Sequence, residues 1–158
     1  MDQSSSLARE LALVLHSFEH PSCQQAAEQL EDHAATTNGL TLAFRSLQLS
    51  VAQVEVLADI IKTHREESPH ALRSLSFSYN ELGDTGAVAL AEALPLHLAE
   101  LGLVGCSIGD RGGAAILEWA TRAKQLRMLC IENNHFSPEL RRRFYDLSAQ
   151  RGGLAVYV

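Results

Sequence analysis

The stretch from Leu72 to Gly86, Leu-Arg-Ser-Leu-Ser-Phe-Ser-Tyr-Asn-Glu-Leu-Gly-Asp-Thr-Gly, returns at Leu98–Gly112 as Leu-Ala-Glu-Leu-Gly-Leu-Val-Gly-Cys-Ser-Ile-Gly-Asp-Arg-Gly. It begins a third time at Leu126, as Leu-Arg-Met-Leu-Cys-Ile-Glu-Asn-Asn-His-Phe. The offsets are 26 and 28 residues. A unit of this length holds one short strand and one helix, and alone it cannot bury its apolar side. Each copy must stack on its neighbours, so the core is a series of layers rather than one globular centre. Leu and Ala dominate, and aromatic residues are only 6% of the chain, which fits aliphatic layers.

Within the copy at Leu72, alternation sends Leu75 and Phe77 to one face and Ser74, Ser76 and Ser78 to the other. Asn80 falls where the chain turns out of the strand, and its amide can bond backbone groups that would otherwise be buried without partners. Cys106 and Asn134 hold the same place in the next copies. The helices that follow carry Gly86, Leu90 and Leu94, ended by Pro95, and then Gly112, Ile116 and Ala120 with Trp119 beside them. Ser137 followed by Pro138 is a strong helix start, with Leu140, Phe144 and Leu147 as the buried stripe and Gly152-Gly153 as the stop.

The Asn–Cys–Asn series, the period and the Leu-Gly-Asp-x-Gly after it resemble the ribonuclease-inhibitor type of leucine-rich repeat. That type is also found in the repeat domains of innate-immune NLR receptors and in Ran GTPase activators. The resemblance covers about residues 40–158 and is strongest over 72–136. It implies an α/β fold: a short right-handed solenoid of about four β-α repeats, with a curved parallel sheet on the concave side and helices on the convex side. It also implies protein binding, without naming the partner.

Around this centre, residues 5–32 read as two short helices broken at Pro21, the second capped by Ser22. They are expected to form an N-terminal helical cap over residues 1–38, with the repeats over 39–158, all in one domain. Ala34 to Gly39 is a turn cluster. Leu40-Thr41-Leu42 reads as a divergent first strand, with Arg45 at the Asn position and a two-residue insertion before the next helix. Ser50 and Gln53 form a capping box for that helix, whose stripe is Val54, Leu57, Ile60 and Ile61. His64 to His70 reads as a charged surface loop. Leu154-Ala155-Val156-Tyr157-Val158 reads as a fifth parallel strand at the edge of the sheet, a place where unpaired backbone invites another chain.

Net charge is −6, which argues against nucleic acid as a partner. Residues 1–100 carry 14 acidic and 5 basic side chains, and residues 101–158 carry 5 and 8. No apolar run is long enough for a bilayer span, so no membrane is expected and a cytoplasmic setting is the default, with a secreted effector as the other. Cys23, Cys106 and Cys130 show no paired spacing and read as packed free thiols.

No catalytic constellation is visible. The glycines from Gly102 to Gly113 lack the Gly-Lys-Ser/Thr of a phosphate loop and recur with the repeat. His16 and His20 lie four apart but lack a third metal ligand. His97 and His135 sit in repeat loops facing solvent. Arg45, Arg65 and Arg111 read as loop arginines and match no activator motif. The expectation is a non-enzyme without cofactor or metal.

The face left for a partner is the concave sheet: Ser74, Ser76, Ser78, Glu100, Gly102, Val104, Met128, Cys130, Glu132 and Tyr157. Thr41, Ser76, Gly102, Cys130 and Ala155 are expected to align in one file across the strands. Ala43, Ser78, Val104, Glu132 and Tyr157 make a second, and Ser74, Glu100 and Met128 a third. The basic cluster Arg141, Arg142 and Arg143 is a further candidate on the last helix, and Leu154–Val158 is a candidate homodimer edge. The reading is a protein–protein interaction scaffold. A secreted bacterial effector acting on host proteins is the alternative, and a self-assembling or GTPase-regulator-like module the next.

Overall fold

The computed structural model describes residues 3–33, 39–67 and 70–158. Their order is α1 (Gln3–Ser17), α2 (Pro21–His33), β1 (Leu40–Ala43), α3 (Val51–Glu67), β2 (Leu72–Ser76), α4 (Gly83–Ala93), β3 (Glu100–Gly102), α5 (Asp110–Arg122), β4 (Met128–Cys130), α6 (Pro138–Gln150) and β5 (Ala155–Tyr157). The five strands form one parallel sheet in sequence order, β1-β2-β3-β4-β5. This is an α/β fold in which each of β1 to β4 hands the chain to a helix and pairs with the next strand.

Parallel strands in sequence order place like positions of each copy side by side. Leu42, Leu75, Leu101 and Leu129 make one buried layer, and Phe44, Phe77, Leu103 and Ile131 the next. Leu57, Leu90, Ile116 and Phe144 complete it from the helices. Each such side chain contributes roughly 1.5–3 kcal/mol on burial, and every layer depends on its neighbour to exclude water. Phe44 and Phe77 meet edge to face, with centroids 5.4 Å apart.

The turn out of each of β1 to β4 has one backbone shape. Ser46, Tyr79, Gly105 and Asn133 all take a left-handed conformation, with φ of 55°, 61°, 62° and 58°. An L-residue there costs roughly 1–2 kcal/mol, so the neighbouring turns must hold it. Asn80 does so by reaching back one turn. Its Nδ2 donates to the Phe44 and Phe77 carbonyls at 2.7 and 2.8 Å, and its Oδ1 accepts from the Leu47 and Leu49 amides at 3.1 Å. Asn134 repeats this with the Leu103 and Ile131 carbonyls and the Cys106 and Ile108 amides. The Cys106 thiol donates to the Phe77 carbonyl at 3.4 Å.

The register of the first copy differs from the sequence expectation. Thr41 pairs with Ser74 and Ala43 with Ser76, after an irregularity between Leu40 and Thr41. Leu47, not Arg45, therefore stands at the Asn position, and the inferred two-residue insertion disappears. The reason is directional. The Asn side chain serves the preceding turn, and among the described residues no strand precedes β1; the Cys23 thiol of α2 meets the Leu47 carbonyl at 3.7 Å. An apolar residue suffices there.

Several local expectations are also corrected. His20, not Ser22, caps α2: its carbonyl accepts from the Gln24 amide and its Nδ1 from the Ser22 amide. His16 and His20 thus do not share a helix face; His16 meets Glu31 and His20 meets Gln48, each at 3.1 Å. His64 belongs to α3 rather than a loop, and it is buried with its Nε2 2.6 Å from Glu10 Oε2 on α1. Residues 34–38 of the expected turn cluster and 68–69 of the expected loop lie outside the described residues. The Ser50–Gln53 capping box is present in both directions, at 2.9 and 3.2 Å. The Ser137 hydroxyl accepts from the Leu140 amide, with Pro138 opening α6.

Candidate protein-binding face

The face of the sheet turned away from the helices carries two in-register files. One is Thr41, Ser74, Glu100, Met128 and Ala155, and the other is Ala43, Ser76, Gly102, Cys130 and Tyr157. Backbone bonds beyond the strands set Ser78, Val104 and Glu132 in a third. The inner three copies align as the sequence predicts, while the outer two are displaced by two residues. The displacement brings Tyr157 beside Cys130 and Ala155 beside Met128. The shift at β1 occurs in a copy that has Leu47 in place of the Asn or Cys that anchors the register.

The hydroxyls at the centre are already committed. Ser78 is buried, and its Oγ accepts from the Val104 amide at 3.0 Å and from the Ser76 hydroxyl at 3.2 Å. Ser74 donates to Glu100 Oε2 at 3.1 Å. Around Gly102, a Cβ would lie 3.1 and 3.3 Å from the Ser76 and Ser78 hydroxyl oxygens, so the serines occupy the space a side chain there would need. The sequence reading of all three serines as free for a partner is therefore corrected for Ser78.

Thr41 and Ala43 are exposed on β1 but small, and the large accessible side chains lie toward β4 and β5. Met128 is 40% and Tyr157 51% exposed, flanked by half-buried Cys130, Val104, Glu100 and Glu132. The Cys130 thiol is held above its ordinary range by burial and then by the Glu132 and Glu100 carboxylates, so it stays protonated beside them. Chemically this is an uncharged ridge of Met and Tyr edged by two acids.

At the last strand, Leu154 is buried and contributes to the core rather than to a free edge, while Ala155, Val156 and Val158 are half-buried. The Ile131 amide donates to the Tyr157 carbonyl at 2.8 Å, and Tyr145 Oη donates to the Val158 carbonyl at 3.2 Å. Among the described residues no strand pairs with the outer side of β5.

A second exposed aromatic, absent from the sequence candidates, stands on the turn after β2. Tyr79 is 49% exposed, with the Arg45 guanidinium 5.4 Å from its ring centroid. Gly105 makes room for it, since a Cβ there would lie 3.0 Å from the ring. The left-handed turn that aims Tyr79 outward has no local sequence signal. Arg65 and Arg111 are helical, in the last turn of α3 and the first of α5, so of the inferred loop arginines only Arg45 is in a turn. His97 is half-buried and stacks on His70 rather than facing solvent freely. Arg141, Arg142 and Arg143 are exposed on α6.

Among the described residues, no group of three or more His, Cys, Asp or Glu side chains is placed to hold a metal ion. No helix among them is long and apolar enough to cross a membrane. No curated protein matches the chain. The family model for the Leucine Rich repeat matches residues 69–91 and 96–117, which span β2 to α4 and β3 to α5. Repeats of this kind are generally protein-interaction modules and typically non-enzymatic. The two matches and the five-stranded parallel sheet support a leucine-rich repeat protein.

Proposed function

We propose that this chain is a non-enzymatic scaffold that binds a protein partner on the outward face of its sheet. The observation that carries the reading is the pair of neighbouring in-register files, one exposing Met128 on β4 and the other Tyr157 on β5. Side chains that anchor interfaces are large, partly apolar and cheap to order, and Met and Tyr qualify. The overall form is taken to be a short right-handed solenoid of about four repeats of the ribonuclease-inhibitor type, with this face concave and residues 1–38 as its helical cap. The back-reaching Asn80, Cys106 and Asn134 support that subtype.

Partner capture with the wild type and a Met128→Glu, Tyr157→Glu double variant tests the reading. Partners lost from the variant, with its folding intact, support it. The same partners recovered by both place the site elsewhere. A second reading, pairing of two copies along β5, rests on the strand's unpaired outer side and on Ala155, Val156, Tyr157 and Val158. Sedimentation showing only monomer at high concentration removes it.

A further inference from the structure

Along the edge of the molecule where strands begin and helices end lies a cationic surface that the sheet face does not use. A groove of about 490 Å³ is lined by His70, Arg73, His97, Ala99, Gln125 and Arg127, with no carboxylate among its described lining residues. A neighbouring groove of about 320 Å³ shares His97 and adds Arg65 and Arg122.

The backbone places these groups. The Ala99 amide donates to the Arg73 carbonyl at 2.9 Å, and the Arg127 amide to the Ala99 carbonyl at 2.8 Å. Arg73 and Arg127 thus stand two strand spacings apart, roughly 10 Å, with only the Ala99 methyl between them. His70 and His97 stack beside this notch, their ring centroids 4.2 Å apart and their planes tilted by 38°. Among the described residues, the side chains of Arg73, Arg122 and Arg127 make no hydrogen bond or ion pair. Arg65 is partly engaged: it donates to the Glu92 carbonyl at 2.6 Å and lies 3.9 Å from Glu66.

Helix ends explain part of this clustering, because Arg65 and Arg122 sit in the last turns of α3 and α5, where cations complement the dipole. That account does not reach Arg73, the second residue of β2, or Arg127, just ahead of β4. Unpaired guanidinium groups a notch apart, in a chain of net charge −6, form a local field opposite in sign to the molecule as a whole.

We propose that this edge binds an acidic peptide segment of a protein partner, with its carboxylates held by Arg73 and Arg127 across the Ala99 notch. The planar guanidinium matches a carboxylate through paired hydrogen bonds. A short peptide fits because it covers the grooves alone, whereas an extended polyanion would run on over the acidic remainder of the surface. The surface is separate from the sheet face, so it stands or falls independently of Met128 and Tyr157.

The test is fluorescence anisotropy of the full chain with a short labelled Glu-rich peptide, its Gln counterpart, and a single-stranded oligonucleotide of equal charge. The expected result is binding of the Glu peptide alone, weakened by added salt. Arg73→Glu with Arg127→Glu lowers that affinity by about tenfold or more. Arg141→Glu with Arg142→Glu leaves it unchanged. Arg73→Gln with Arg127→Gln, with an unchanged melting curve, shows the same direction of loss and guards against misfolding of the reversed variant. The proposal is overturned if the wild type does not bind the Glu peptide or if the α6 variant loses as much as the groove variant. Equally tight binding of the oligonucleotide also overturns it.

Discussion

Asp84 and Gly112 fit one another across successive copies: Asp84 Oδ1 accepts the Gly112 amide at 2.8 Å, and a Cβ on Gly112 would lie 2.8 Å from that same oxygen. The Gly109 amide donates to the same oxygen at 2.9 Å. The carboxylate at the start of α4 therefore ties down the start of α5. Asp110 repeats the device one copy on, accepting from the Ser137 amide at 2.8 Å.

Gly112→Ala is expected to destabilise the fold by about 1–3 kcal/mol, because the added methyl also meets Ala87 Cβ at 2.9 Å and Ile108 Cγ2 at 2.8 Å. Gly152→Ala, where nothing lies within 4 Å of the added atom, changes stability little. Denaturant unfolding of the two variants measures the difference.

Asn80→Ala leaves the Phe44 carbonyl and the Leu47 and Leu49 amides without partners, and the Phe77 carbonyl with the Cys106 thiol alone. Each such group costs roughly 1–3 kcal/mol when water cannot replace the bond. Asn134→Ala removes equivalent bonds, but Asn134 is half-buried and water can reach it in part. The expected order of stability is wild type, Asn134→Ala, then Asn80→Ala, read from unfolding midpoints at constant slope.

The thiols are expected to differ in reactivity. Burial pushes the Cys106 thiol up to about 11, so roughly one in a thousand is ionised at pH 8 even before access is considered. Cys23 is also raised by burial and is fully enclosed. Only half-buried Cys130 should be alkylated in the native protein, slowly and faster as pH rises. Mass spectrometry of labelled peptides checks this, and a partner seated on the sheet face should protect Cys130.

For Asp110, the Ser137 amide and then the Ser137 hydroxyl hold the carboxyl below its ordinary range. A folded-state value below the unfolded one adds stability above about pH 4 and loses it as pH falls further. Asp110→Asn is therefore expected to be less stable than wild type near neutrality, with the gap closing on acidification. Melting curves over that range test the sign.

The repeat itself is legible because each inner copy carries its own instructions. Leu75, Phe77, Asn80 and Leu82 each occupy one place per period, and the alternation of the strand assigns their faces. The outer copies are harder to read. With Leu47 at the Asn position, nothing local pins β1, and a shift of two residues preserves which face each side chain takes. Tyr157 also moved by two residues and likewise kept its face. The candidate face was read as ten residues, yet Ser78 is consumed by the Val104 amide, a bond between residues in different copies.

What the sequence alone determined is the unit: a short strand, a turn marked by Asn or Cys, a capped helix, and the stacking of these units into aliphatic layers. These follow from short-range periodicity and from turn and cap chemistry. Only the tertiary structure decided which neighbours each unit meets. It brought Asp84 to Gly112 and His64 to Glu10, and it set His70 against His97 beside the Arg73–Arg127 notch. Those relations join side chains that lie about one repeat apart or more. Register and helix packing fix them, and no local pattern encodes either.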